Sequence, residues 1–357
     1  MPPFSFRKLP DGSFVNAAGE VLYFSVDRFA RDICVGGDCF ICGKSRRRVP
    51  FNDEHILPDW ILRRFNLHSR FITLPNLSSF LYGQYTIPCC EKCNSTLGKV
   101  IESPISKLVA DGFEAVAEHL RSNGPWLFFT WFALIFLKTH LKDRTLRMNL
   151  DRRSEPAQIG DLYEWADLHH IHGIARSFYS RPAIEPEVLG SLLVLPAKTA
   201  AHYEAFDYGD LYLAQSVLLR IDDICFIVVL NDSNAVLSAL LEGLNGISGP
   251  LSPIQLREIF VRFAYANLRL KNRPRFASAL DEEKGFRIVA RRSSSIEFEP
   301  GNAADYGKML YSATKPILDH MHNPDIDQIK QRVREGNMTF LFDDKGKFIK
   351  SSMFPLP

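Results

Sequence analysis

Two Cys-x-x-Cys pairs, Cys39-Phe40-Ile41-Cys42 and Cys90-Glu91-Lys92-Cys93, enclose the run Asn52-Asp53-Glu54-His55-Ile56-Leu57-Pro58. Asn94 follows the second pair directly, and Glu102 comes eight positions after it. Four thiolates in two such pairs are the usual donor set of a tetrahedral zinc site. A carboxylate beside an imidazole, held by that clamp, suits metal-assisted hydrolysis. The imidazole can take a proton from water near neutral pH, and carboxylates hold a hard divalent cation.

The chain between the pairs is too long for a compact zinc ribbon, at 47 residues from Gly43 to Cys89. A RING-like domain needs further cysteine or histidine ligands in that gap, where only His55 and His68 are found besides Cys89 at its very end. The zinc therefore closes a large loop, and the loop contains the chemistry. Cys89 adjoins Cys90 and could exchange with it as a ligand, with Cys34 a weaker substitute. Cys225 lies in the apolar run 224–230 and reads as a core residue.

Elements that would position these groups follow from the local sequence. Pro58 opens a short helix over 59–65, with Glu54 and His55 just before it. Asn94 is a good N-cap for a helix of about two turns over 95–102. Ser103-Pro104 then reads as a fresh N-cap and first helical residue, starting another helix towards residue 120. Glu102 would thus sit near a helix C-terminus, where a carboxylate is disfavoured and a bound cation would offset the penalty.

The order Cys-x-x-Cys, Glu-His-Ile-x-Pro, Cys-x-x-Cys-Asn and then Glu resembles the zinc-clamped branch of the HNH endonucleases, the ββα-metal nucleases. The resemblance covers roughly residues 35–104. It implies a β-hairpin carrying the acid–histidine pair and a helix carrying the last metal ligand. It implies His55 as the general base, Glu54 as a ligand of a catalytic divalent ion, Asn94 as the asparagine that braces the loop, and Glu102 as the final ligand. Many members have histidine at that last position. Glutamate at both outer positions leaves an oxygen-rich site and favours Mg²⁺ or Mn²⁺ over a catalytic Zn²⁺. The structural Zn²⁺ would be held by Cys39, Cys42, Cys90 and Cys93. The implied activity is hydrolysis of phosphodiester bonds in DNA, with RNA left open, and one metal per site means one strand cut per visit. Such modules occur in restriction, phage defence and mobile elements, which implies a prokaryotic defence role.

The whole chain is close to neutral, with a formal net charge of +2, so it is no basic nucleic-acid coat protein. Its charge is uneven. Lys44, Arg46, Arg47 and Arg48 precede the Glu-His pair, and Arg63, Arg64 and Arg70 follow it, placed to meet backbone phosphates. A second basic cluster, Arg269, Lys271, Arg273 and Arg275, reads better as a charged helix end. The competing reading of the module is a non-catalytic zinc unit that binds nucleic acid or a protein partner. It predicts that Glu54 and Glu102 do not converge.

The rest of the chain reads as α+β: an HNH-type ββα-metal module with structural zinc, plus a larger mixed α+β C-terminal domain of open role, with room for a protein partner. In linear order the sequence suggests an N-terminal β-hairpin extension over 1–34, the module over 35–104, a connecting helix over 105–122 and the C-terminal domain over 123–357. Helices are expected at 104–120, 125–141, 159–178, 235–244, 253–268 and 303–320. Strands are expected at 4–8, 14–15, 21–24, 191–195, 211–220 and 224–230, with hairpins pairing 286–290 with 295–298 and 338–342 with 347–350. The apolar stretch 126–137 is too short to span a bilayer, and no signal peptide is visible, so thiols and zinc in a reducing cytoplasm are expected. His169, His170 and His172 lie on the expected 159–178 helix, where bonding to backbone or solvent is the plainer reading than a second metal site.

Overall fold

The computed structural model describes residues 5–350 apart from 152, 202 and 282. Phe4, the first residue of the first expected strand, lies outside them. The architecture is α+β, with helices and several small sheets. Two compact units divide the chain. Unit 1 takes the described residues of Met1–Lys107, Trp126–Val188 and Phe276–Ala290, and unit 2 takes those of Leu108–Pro125, Leu189–Arg275 and Arg291–Pro357. This partition crosses the linear division suggested by the sequence. One physical reason is a long buried helix that follows the cysteine-bounded stretch and packs back into it.

In unit 1, strand β1 (Phe51–His55) pairs antiparallel with β2 (Thr86–Cys90), bringing Phe51 opposite Cys90 and His55 opposite Thr86. Between them lie helix α1 (Asp59–Arg64), a 3₁₀ turn at Leu67–Ser69 and a small hairpin of Phe71–Thr73 with Ser79–Leu81. Helix α2 (Glu91–Leu97) leaves β2 directly, capped at Cys90. Asn94 therefore lies inside a helix and is not its N-cap. The helix continues through a π turn at Gly98–Glu102 into Ser103–Ala110, and Ser103 keeps helical angles (φ −64°, ψ −44°). The fresh start expected at Ser103-Pro104 is absent. A wider turn relieves the clash and the missing N–H that Pro104 would bring to a regular helix. Gly112, at φ +88°, then separates this run from Phe113–Asn123.

Helix α3 (Trp126–Asp143) is buried along nearly its whole length. It matches the helix expected over 125–141 closely, and Lys138 within it is buried too. Among the described residues no helix is long and apolar enough to cross a membrane. The helix expected over 159–178 is instead two 3₁₀ turns, Ile159–Leu162 and Trp165–Leu168, followed by α4 (His169–Ala175) and Ser177–Ser180. Tyr163 breaks it by taking extended angles, and the Asp161 carboxylate closes a capping box on Gln158.

Unit 2 holds a four-stranded antiparallel sheet. Its strands are β3 (Leu192–Pro196), β4 (Phe206–Leu211), β5 (Ser216–Ile221) and β6 (Ile224–Val229), in the spatial order β4-β5-β6-β3. The single strand expected over 211–220 is thus two, divided by a turn in which Gln215 takes φ +39°. Every residue of β5 and β6 is buried. Helix α5 (Pro253–Leu268) starts with Pro253 behind a Ser252–Gln255 capping box, and its Leu256, Ile259, Phe260 and Phe263 pack with Ile227 and Val229 of β6. Two expected hairpins differ. The strand Gly285–Arg291 lies between Arg275–Asp281 and Ala183–Ile184, while Phe298 bridges to Leu270. Residues 338–350 form a turn with one bridge, Phe342 to Phe348, rather than two strands.

Candidate metal centre and acid–imidazole cluster

Cys39, Cys42, Cys90 and Cys93 converge, with all four sulfurs within 4.8 Å of one another and all four residues buried. The first knuckle is tied by backbone bonds, Gly43 N–H to the Cys39 carbonyl (2.8 Å) and Cys39 N–H to the Lys44 carbonyl (3.0 Å). Gly43 is required there. Its φ is +73°, and a Cβ would come within 2.5 Å of the Phe24 ring. The second knuckle bridges the end of β2 and the first turn of α2. Cys89 alternates to the other face of β2 and lies outside the four-sulfur group, although its sulfur is 3.9 Å from that of Cys39. Hydrogen bonds from Cys42, Cys89 and Cys93 draw the Cys39 thiol far down. Hydrogen bonding to that sulfur, with burial and its charge adding to the effect, pushes Cys42 up to about 12 and Cys93 well above the usual thiol range. Packed sulfurs cannot all ionise alone, and a cation lets them do so together. The donor set therefore fits a structural zinc ion. Cys34 and Cys225 are buried apart from it, and burial raises both thiols.

Successive residues of a strand point to opposite faces, and β1 obeys this: Glu54 is buried while His55 is partly exposed. Glu54 Oε1 accepts from the buried Lys138 ammonium of α3 at 2.6 Å, and the same ammonium donates to the His55 carbonyl at 2.7 Å. The sequence alone missed this residue. A lysine within a run of phenylalanine, leucine and isoleucine was the available signal, because a buried ammonium needs an anionic partner. Glu102 belongs to the same group. Burial pushes its carboxyl up to about 7, Lys138 opposes the shift, and the charges of Glu54 and Asp59 add to it.

His55 meets two side chains from the connection between the strands. His68 lies edge-on to the His55 ring, with centroids 5.7 Å apart, and its Nε2 is 3.1 Å from Asp59 Oδ1. The ligand atoms of His55, Asp59 and His68 all fall within 4.8 Å of one another. Asp59, expected only as a helix start, and His68, noted only as one of two histidines between the cysteine pairs, thus lie beside His55.

Asn94 donates from Nδ2 to Asn52 Oδ1 at 2.9 Å, tying α2 to β1 and not reaching the acids through any bond of its own. Lys44, Arg46, Arg47 and Arg48 are exposed, with Arg46 over the Phe51 ring at 5.4 Å. Arg63 and Arg64 are exposed as well, and Arg63 Nε pairs with Asp59 Oδ2 at 2.6 Å. His169 and His172 bond through Nε2 to the carbonyls of Phe24 (2.7 Å) and Phe40 (2.8 Å), so this cluster serves packing. No known family model, curated protein or solved structure matches the chain.

Proposed function

We propose that this region is the hydrolytic centre of an endonuclease that cuts phosphodiester bonds in DNA, built as an HNH-type ββα-metal module. Support comes first from order: two antiparallel strands, then a helix, with the acid–histidine pair on the first strand and the four cysteines gathered where the second strand meets the helix. The observation that carries the reading is that Lys138, Glu54 and Asp59 all act on the charge of Glu102, while Lys138 also bonds the His55 carbonyl. A non-catalytic zinc module has no need to gather three carboxyls, an ammonium and an imidazole there.

The exposed Lys44, Arg46, Arg47 and Arg48 would neutralise phosphates of the approaching strand. Asn94 would hold α2 against β1 through Asn52. A divalent ion would supply Lewis-acid stabilisation of the phosphoryl oxygens and acidify the attacking water. Glu54 does not fit the task of holding it, because its carboxylate is buried and already paired with Lys138. That ion pair also favours the runner-up reading, in which the module binds without cutting. A basic nitrogen at His55 serves hydrolysis in one of two ways: it takes the proton from water, or it holds the cation that makes the water acidic. The first is the role implied by the resemblance to HNH enzymes; the second would make the imidazole a ligand.

The test is nicking of a supercoiled plasmid by purified full-length protein with Mg²⁺ or Mn²⁺ added. His55→Ala is expected to lower the rate at least about a hundredfold while zinc content stays unchanged. Nicking at equal rates by both proteins, or by neither, sinks the reading. Whether such cutting serves defence against phage is an analogy that plaque counts with and without His55→Ala would check.

A further inference from the structure

We infer that His55, Asp59 and His68 form a second metal site, distinct from the cysteine cluster, for a first-row divalent ion such as Mn²⁺. Binding itself does not depend on the hydrolase reading; only the use of the ion in hydrolysis rests on it.

The three donors come from three separate elements. His55 ends β1, Asp59 opens α1, and His68 sits on the 3₁₀ turn that follows α1. Their ligand atoms are mutually within 4.8 Å, the span over which three side chains can share one ion. Each donor is braced from behind, as metal ligands usually are. Lys138 holds the His55 carbonyl at 2.7 Å. Arg63 Nε takes Asp59 Oδ2 at 2.6 Å, which turns Oδ1 towards the imidazoles. Gly83 packs against His68 so closely that a Cβ there would lie 3.0 Å from Nδ1 and 2.9 Å from the carbonyl oxygen. The ring is thereby seated with Nε2 towards Asp59.

Two nitrogens and one oxygen suit borderline divalent ions, and three protein ligands leave positions open for water or a phosphoryl oxygen. Exposure agrees with this. The side chains of His68 and Asp59 are 44% and 37% exposed, so ion and substrate can reach them. Glu54 differs on both counts, being enclosed and already matched by an ammonium. The resemblance to HNH enzymes implied a cation between Glu54 and Glu102; here Lys138 supplies the positive charge on that side, and the divalent ion belongs on the other face of β1.

The experiment titrates Mn²⁺ into the full-length, zinc-loaded protein, following free Mn²⁺ by electron paramagnetic resonance and heat by calorimetry. One Mn²⁺ per chain is expected. Asp59→Asn and His68→Ala should each weaken it by about tenfold or more, whereas Glu102→Gln should change it by less than about threefold. Zinc content of every variant reports that the fold is intact. Absence of Mn²⁺ binding at millimolar concentration overturns the inference, as does wild-type affinity in Asp59→Asn and His68→Ala. Loss of binding in Glu102→Gln alone also overturns it, by returning the ion to the acid pair. Nicking assays on the same variants separate the two proposals. Nicking that survives in His68→Ala leaves a nuclease without this site, and Mn²⁺ bound with no nicking leaves the site without a nuclease.

Discussion

The β1–β2 pair of unit 1 and the β5–β6 pair of unit 2 are both antiparallel, yet they are stabilised by opposite means. β5 and β6 are buried at every position and pack on α5 through aliphatic and aromatic side chains. β1 spells Phe-Asn-Asp-Glu-His and buries only Glu54. Its place is fixed by sulfur at one end, by the Lys138 ammonium at the other and by the Asn52–Asn94 bond between. An apolar strand obtains its stability from the water it excludes. A strand that must present polar groups gives up that source, and directional bonds from neighbouring elements replace it. The polar strand is thereby positioned more sharply and tolerates less change.

The largest break in this comparison comes from the metal. Chelating the zinc, or replacing Cys39 by serine, removes an interaction worth about 10 kcal/mol or more in structural zinc sites. Hydrogen exchange should show β1 and β2 losing protection, with β5 and β6 retaining theirs. Next comes Lys138→Met, which keeps the shape of the side chain but strands a buried carboxylate. A loss of about 3–5 kcal/mol in denaturant unfolding is expected, and Glu54→Gln added to it should restore part of that loss. On the apolar side, Ile227→Val should cost only about 1 kcal/mol, with zinc content unchanged. A drop as large as that of Lys138→Met would erase the contrast.

The smallest effect is one of pH. Burial holds the His172 ring well below the usual histidine range. Its pKa is depressed on folding, so below about pH 6.5 the unfolded chain takes up a proton that the folded chain refuses. Its contribution to stability is therefore complete above that pH and is lost on acidification. Ring proton shifts should show His172 neutral at about pH 5.5; a charged ring there would contradict the packing described.

The sequence announced its cysteine cluster better than its packing. Paired cysteines and a Glu-His dipeptide are local patterns, and the four sulfurs do converge. Helices with strong start signals, such as the Ser252-Pro253 opening of α5, lie where expected. What could not be read was set by distant partners. Lys138 looked like the end of an apolar stretch because its carboxylate lies 84 positions away. Asp59 and His68 looked ordinary because only the β1–β2 register returns the connection to His55. Residues 159–178 carried helical periodicity, but the Asp161 capping box and the extended Tyr163 overrode it.

The π turn at Gly98–Glu102 holds one more residue than a regular helix would use. Each residue of an α-helix advances its neighbours by about 100° around the axis. Deleting one residue within 98–101 would rewind the turn to ordinary pitch and leave Glu102 at nearly the same bearing, but it would return Pro104 to a regular hydrogen-bond ladder that it cannot join. The extra residue thus works as slack for a proline, and a shortened protein would keep the aim of its last acid while straining the helix behind it.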